Sequence, residues 1–147
     1  MNDIYIVSGS RTPMGAFQGS LSTMSAVDLG AAAISETINR AGIAPDSVDE
    51  VIMGNVLSAG LRQGPARQAA MDAGIPVGIG ATTINKLCGS GMKATMLSHD
   101  LIAAGTNDVM VAGGMESMTN APYLIAKARG GMRMGQGEIQ DSMLTEG

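Results

Sequence analysis

A chain of 147 residues with 45% hydrophobic content is long enough to bury one real core, and its composition is not that of a disordered segment. A formal charge of −4 without a basic patch excludes a phosphate-neutralising nucleic-acid surface, and one cysteine with one histidine excludes an internal disulfide and a zinc constellation. No metal site is expected, and a lone thiol suits a reducing, cytoplasmic setting. Aromatic residues are nearly absent, while 13 Met and 21 Gly are plentiful, so packing must use small residues at close approach and flexible methionine as filler.

Met1-Asn2-Asp3-Ile4 has neither the basic nor the apolar region of a secretory signal, and no apolar run reaches bilayer length, so a soluble protein without a membrane segment is expected. Ile4-Tyr5-Ile6-Val7 reads as a first strand, apolar on both faces. Ser8 to Met24 is a long loop, and its Gly9 to Gly15 spacing lacks the lysine of a phosphate-binding loop. Ser25-x-x-Asp28 forms a capping-box variant ahead of a helix whose narrow face is Gly30, Ala33, Ile34, Thr37, Ile38 and Ala41, with Gly42 as its stop.

Val48 to Val56 holds a second buried strand around Val51-Ile52-Met53. Gly64-Pro65 opens a short helix ending at Gly74, with Ala66, Ala69, Ala70 and Ala73 as its packing stripe. Ala81-Thr82-Thr83-Ile84-Asn85 is a third strand whose threonines predict an edge or an interface. Ser90 to Ala104 is a helix apolar almost all round, which predicts a central position, and Gly105 ends it. Val109 to Gly114 is a fourth strand, and the strand–helix alternation predicts an α/β fold with a mainly parallel sheet. From Met115 to Gly147 the chain becomes a glycine-rich excursion with a hairpin, and it ends as an interior segment would, so a truncated chain is expected.

Cys88 sits between the third strand and the helix that follows it. Residue type alone favours a small buried apolar side chain. Its flanking glycines at a strand-to-helix junction instead favour a thiolate stabilised by the positive helix end. Both readings stand at this point. His99 lies eleven residues further on, about three helical turns at 1.5 Å per residue, too far to deprotonate Cys88 directly. It reads as structural, as do Asp108 and Glu116, the one preceding a strand and the other capping a turn or anchoring a buried network. Lys127, Arg129 and Arg133 form a modest basic cluster, better read as a solvated loop or subunit contact than as a phosphate clamp.

Three stretches, Ser10-Arg11-Thr12-Pro13-Met14-Gly15, Asn85-Lys86-Leu87-Cys88-Gly89-Ser90-Gly91 and Ala112-Gly113-Gly114-Met115-Glu116-Ser117-Met118, resemble in this order the N-terminal part of the thiolases, the acyl-CoA acetyltransferase family. Thr95 departs from the pattern, standing where such proteins usually carry an aliphatic residue. The resemblance implies a layered α/β thiolase fold with a mostly parallel mixed sheet and a buried helix after the nucleophile. Residues 1–117 would be the N-terminal domain without its last strand, and 118–147 the start of the loop domain. Cys88 would be the nucleophile in ping-pong acyl transfer, with acetyl-CoA, acetoacetyl-CoA and coenzyme A as substrates and no permanently bound cofactor. The base, a second cysteine and most coenzyme A contacts would come from residues beyond Gly147, and the coenzyme A-binding residues of this chain stay unassigned. The segment from Arg129 to Gly135 resembles an assembly loop, implying a homo-oligomer of two or four chains. The alternatives are a catalytically silent fragment or assembly module and, less favoured, a decarboxylating ketosynthase.

Overall fold

The computed structural model describes residues 3–147, so the reading of Met1-Asn2 lies outside the described residues. Helix α1 spans Ala26–Ala41 and begins where the sequence chemistry dictates. The Ser25 hydroxyl accepts from Asp28 N at 3.1 Å, and the Asp28 carboxylate accepts from Ser25 N at 2.9 Å. Gly42 closes the helix in the left-handed conformation, φ 68°. Removing the cap with Ser25→Ala should cost about 1 kcal/mol, read by urea unfolding.

Strand β1 (Glu50–Gly54), helix α2 (Pro65–Asp72), strand β2 (Gly80–Ile84), helix α3 (Ser90–Ala103) and strand β3 (Met110–Gly114) follow. The strands form one sheet in the order β2-β1-β3, every pairing parallel. β1 is therefore central and almost wholly buried, whereas the threonine-bearing β2 takes an edge. α1 and α2 pack on each other through small residues. A Cβ on Gly30 would collide with the Met115 sulfur, and Ala69 stands at contact distance behind it. The core runs from these helices to the sheet through Val27, Ile34, Ile38, Val51, Met53 and Val111.

Asp49, just before β1, bonds the start of β3 to it: one carboxylate oxygen accepts from Asp108 N at 2.7 Å and from Val109 N at 2.8 Å. Those backbone donors, Val109 first, hold the Asp49 pKa below its ordinary 3.8, and Ser25 does the same for Asp28. A depressed carboxylate stabilises the fold above its unfolded pKa and loses that contribution as pH falls through the lower folded value. Thermal midpoints should therefore drop on acidification below 3.8, and less steeply in Asp49→Asn or Asp28→Asn.

Two expectations are corrected here. Ile4 to Val7 joins no strand ladder, and Tyr5, Ile6 and Val7 are 74, 88 and 74% exposed. A strand needs a hydrogen-bonding neighbour; among the described residues β3 pairs only with β1, and between Ile4–Val7 and Val109–Ala112 lies a groove of about 370 Å³ lined by both. Ser10 nonetheless pins this segment to α1, its hydroxyl donating to the Ala33 carbonyl at 2.6 Å. The second correction concerns α3, which buries only one stripe, Ser90, Ala94 and Ser98, against β1 and β3. Met92 and Met96 on the opposite side are 75 and 51% exposed, because nothing within these residues covers that face.

The excursion after β3 does contain a hairpin-like pairing, β4 (Tyr123–Leu124) antiparallel to β5 (Gln140–Asp141), followed by the short helix α4 (Ser142–Glu146). No helix among the described residues is long and apolar enough to cross a membrane.

Candidate active site

The parallel register sets Ile84, Gly54 and Gly114 side by side, so the loops after all three strands leave the same end of the sheet. That end is where α/β sheets generally bind ligands. A cleft of about 480 Å³ opens there, of a size suited to a small-molecule group. Asn55 to Leu57 line it after β1, Leu87 and Cys88 after β2, and Met115, Glu116 and Met118 after β3.

Cys88 is an exposed free thiol at this cleft rather than a member of the core of these residues. It stands on a tight elbow. Leu87 adopts φ 50°, a left-handed conformation uncommon outside glycine, and its N–H donates to Asn85 Oδ1 at 2.9 Å. The Ser90 hydroxyl crosses the same turn, donating to the Leu87 carbonyl at 2.6 Å and accepting from Lys86 N at 2.8 Å. The backbone closes it further, Gly89 N donating to the Lys86 carbonyl and Ser90 N to the Leu87 carbonyl. Such an over-determined turn holds a strained residue and keeps the following side chain in one place.

α3 begins directly after the elbow with Gly89 as N-cap and no side-chain cap, so negative charge developing near Cys88 meets the positive end of its dipole. The helix reaches this position only because its neighbours are glycine. A Cβ on Gly54 would lie 2.5 Å from Ser90 Cβ and 2.8 Å from Gly91 N, while Gly91 in turn approaches Gly113 and Gly114.

The floor of the cleft is polar and tied down. Asn55 is 2% exposed, and its side-chain nitrogen donates to the Met115 carbonyl at 3.1 Å and to Glu116 Oε1 at 2.8 Å, leaving its Oδ1 buried without a partner. Glu116 is thus the anchor of a buried network. Among the described residues, the cleft-lining set contains no histidine, lysine or arginine and no second cysteine. His99 pairs with Asp100 at 3.1 Å and lines the groove beside β3 instead. Lys127, Arg129 and Arg133 are exposed on and beside the turn at Ala128–Gly130, away from the cleft lining. Residue spacing does not single out Asn55 or the paired bonds of Ser90; the one usable signal is a polar residue directly after the buried run Val51 to Gly54.

Residues 4–147 match the family described as thiolase, N-terminal domain. The chain is 54% identical over 145 residues to acetyl-CoA acetyltransferase 2 of Arabidopsis thaliana, covering 99% of this chain and 36% of that protein. It is 50% identical over 147 residues to the acetyl-CoA acetyltransferase of Cupriavidus necator, covering 37% of it. The crystal structure of the Acat5 thiolase from Ascaris suum in complex with coenzyme A superimposes with a TM-score of 0.95 at 40% identity, over 99% of this chain and 38% of that one. The chain thus spans well under half the length of these relatives. With its cysteine elbow at the end of a parallel sheet, the chain belongs to the thiolase family, matching its N-terminal portion.

Proposed function

We propose that this chain is the nucleophile-bearing part of an acetyl-CoA acetyltransferase. The observation that carries the reading is the exposed Cys88 thiol, held on a rigid elbow at the start of α3 in the strand-end cleft. In condensation the Cys88 thiolate attacks the thioester carbonyl of acetyl-CoA and the coenzyme A thiolate leaves. In thiolysis it attacks the ketone carbonyl of acetoacetyl-CoA, the bond between C2 and C3 breaks, and the acetyl-CoA carbanion leaves and takes up a proton, so that either direction gives an acetyl-cysteine. The acyl group then passes to the thiol of coenzyme A in thiolysis, or to the carbanion of a second acetyl-CoA in condensation, and the Cys88 thiolate is released. Coenzyme A, acetyl-CoA and acetoacetyl-CoA are the substrates, with no resident cofactor, in a reducing cytoplasmic setting.

The chain spans well under half the length of its relatives, and on this reading the rest of the site comes from elsewhere in a longer chain. Among the described residues the cleft lining holds no histidine and no second cysteine beside Cys88, and its one carboxylate, Glu116, is engaged by Asn55, Val56 and Leu57. Residues 1–117 form the N-terminal domain and 118–147 begin the loop domain. A later strand enters the groove between Ile4–Val7 and β3, giving both backbones the hydrogen-bonding neighbour they lack. The exposed face of α3 packs on the remainder of the protein, which assembles as a homo-oligomer of two or four chains. Initial rates of acetoacetyl-CoA thiolysis at several coenzyme A concentrations should give the parallel double-reciprocal lines of a ping-pong reaction. Converging lines would contradict an acyl-cysteine route.

A second reading applies to these 147 residues on their own, and the same cleft supports it: with no histidine and no second cysteine among the described residues lining it beside Cys88, the chain alone is catalytically silent. Thiolysis by the purified 147-residue chain, free of any complementing fragment, would refute it.

A further inference from the structure

One carboxylate joins two of the three loops that meet at the Cys88 cleft. Glu116 Oε1 accepts from Asn55 Nδ2 at 2.8 Å and Leu57 N at 3.1 Å, and its Oε2 accepts from Val56 N at 2.8 Å. Three donors on consecutive residues, each bonded to one charged group, leave the 55–57 loop a single shape, because every lost bond strands a part-buried N–H. The loop is also held from beneath, Asn55 N donating to the Ile84 carbonyl at 3.0 Å and Met115 N to the Gly54 carbonyl at 2.9 Å.

The fixed loop reaches the cysteine through one side chain. The Val56 carbonyl accepts from Asn85 Nδ2 at 3.5 Å, and Asn85 Oδ1 accepts from Leu87 N at 2.9 Å, which supports the left-handed residue directly before Cys88. The Val56 link is the longest of the series and the weakest, and the bond from Asn55 N to Ile84, one residue before Asn85, backs it. A carboxylate at position 116 is thus connected to the elbow through Val56 and Asn85, with no hydrogen bond of its own to the sulfur.

We infer that Glu116 is a positioning residue for Cys88: by clamping the 55–57 loop it sets Asn85, and Asn85 sets the turn that aims the thiol into the cleft. This rests on Cys88 being the working nucleophile. It gives Glu116, otherwise read as purely structural, a measurable part in the reaction.

The test uses the full-length protein and compares wild type with Glu116→Gln, Glu116→Asp, Asn85→Ala and the double variant Glu116→Gln/Asn85→Ala. Two readouts are taken: the rate of Cys88 alkylation by iodoacetamide across the neutral to alkaline range, and kcat and KM for acetoacetyl-CoA thiolysis. Glutamine keeps the size but turns an amide NH₂ toward a backbone N–H, so alkylation and kcat should fall roughly tenfold or more with KM little changed. Aspartate, which keeps the charge, should recover most of the loss. The double variant should be no slower than Asn85→Ala alone, since both act on one path. A wild-type rate in Glu116→Gln, losses that simply multiply in the double variant, or a Glu116→Gln protein that fails to fold while Glu116→Asp behaves as wild type would each overturn the inference. Failure of acetoacetyl-CoA to acylate wild-type Cys88, with the alkylation pattern intact, would instead sink the acyltransfer reading.

Discussion

Gly54→Ala should destabilise the protein by about 3 kcal/mol and slow Cys88 chemistry at the same time, although the substitution adds one methyl group. The added Cβ would stand 2.5 Å from Ser90 Cβ, 2.7 Å from the Ser90 carbonyl carbon and 2.8 Å from Gly91 N. Two of these three neighbours are backbone, so no rotamer change relieves the overlap. β1 is the central strand and cannot retreat, because it is bonded to β2 and β3 on both sides. The start of α3 must shift instead, and Ser90 carries the two hydrogen bonds that shape the elbow. Urea unfolding and iodoacetamide alkylation of the same variant should move together. A stable variant with an undisturbed thiol would mean that α3 does not approach the sheet as closely as described.

Cys88→Ala is expected to reduce acyl transfer by at least about a thousandfold, the scale on which removal of a covalent nucleophile is felt. Its stability should be nearly that of wild type, since the thiol is exposed and packs no core. The contrast between the two variants would separate the roles: Gly54 makes room for the elbow, whereas on the proposed route Cys88 carries the acyl group. A Cys88→Ala protein retaining most of its thiolysis would remove the basis for the covalent route.

What the sequence made legible was mostly local. The cap at Ser25 and Asp28, the left-handed stop at Gly42 and Pro65 at the head of α2 each follow from residues within a few positions, and each lies where the spacing predicts. The buried β1 and the threonine edge at β2 were readable too, because apolar runs and polar alternation report burial directly. Ile4 to Val7 misled for the opposite reason. Its composition is that of a strand, but a strand is completed by a neighbour, and none of the described residues pairs with it. The apolar circumference of α3 likewise announced a central helix whose outer cover these residues do not supply.

At the site, the glycines around Cys88 point to a strand-to-helix junction, which the structure has, and the family resemblance implies the nucleophile proposed above. The bonds that fix the cleft floor were out of reach. Glu116 and Asn55 are 61 positions apart, and no periodicity links two residues whose meeting depends on β1 and β3 lying side by side. Of the two structural roles that the sequence leaves open to Glu116, a turn cap or an anchor, the structure shows the anchor, and its connection through Val56 and Asn85 depends on the folded arrangement alone.

The measurement that bears most directly on the account is acylation of the full-length protein by acetoacetyl-CoA, followed by peptide mass spectrometry. The account predicts an acetyl group on the peptide containing Cys88, lost on addition of coenzyme A. An acyl group that persists elsewhere in Cys88→Ala, with Cys88 itself unmodified in wild type, would contradict it.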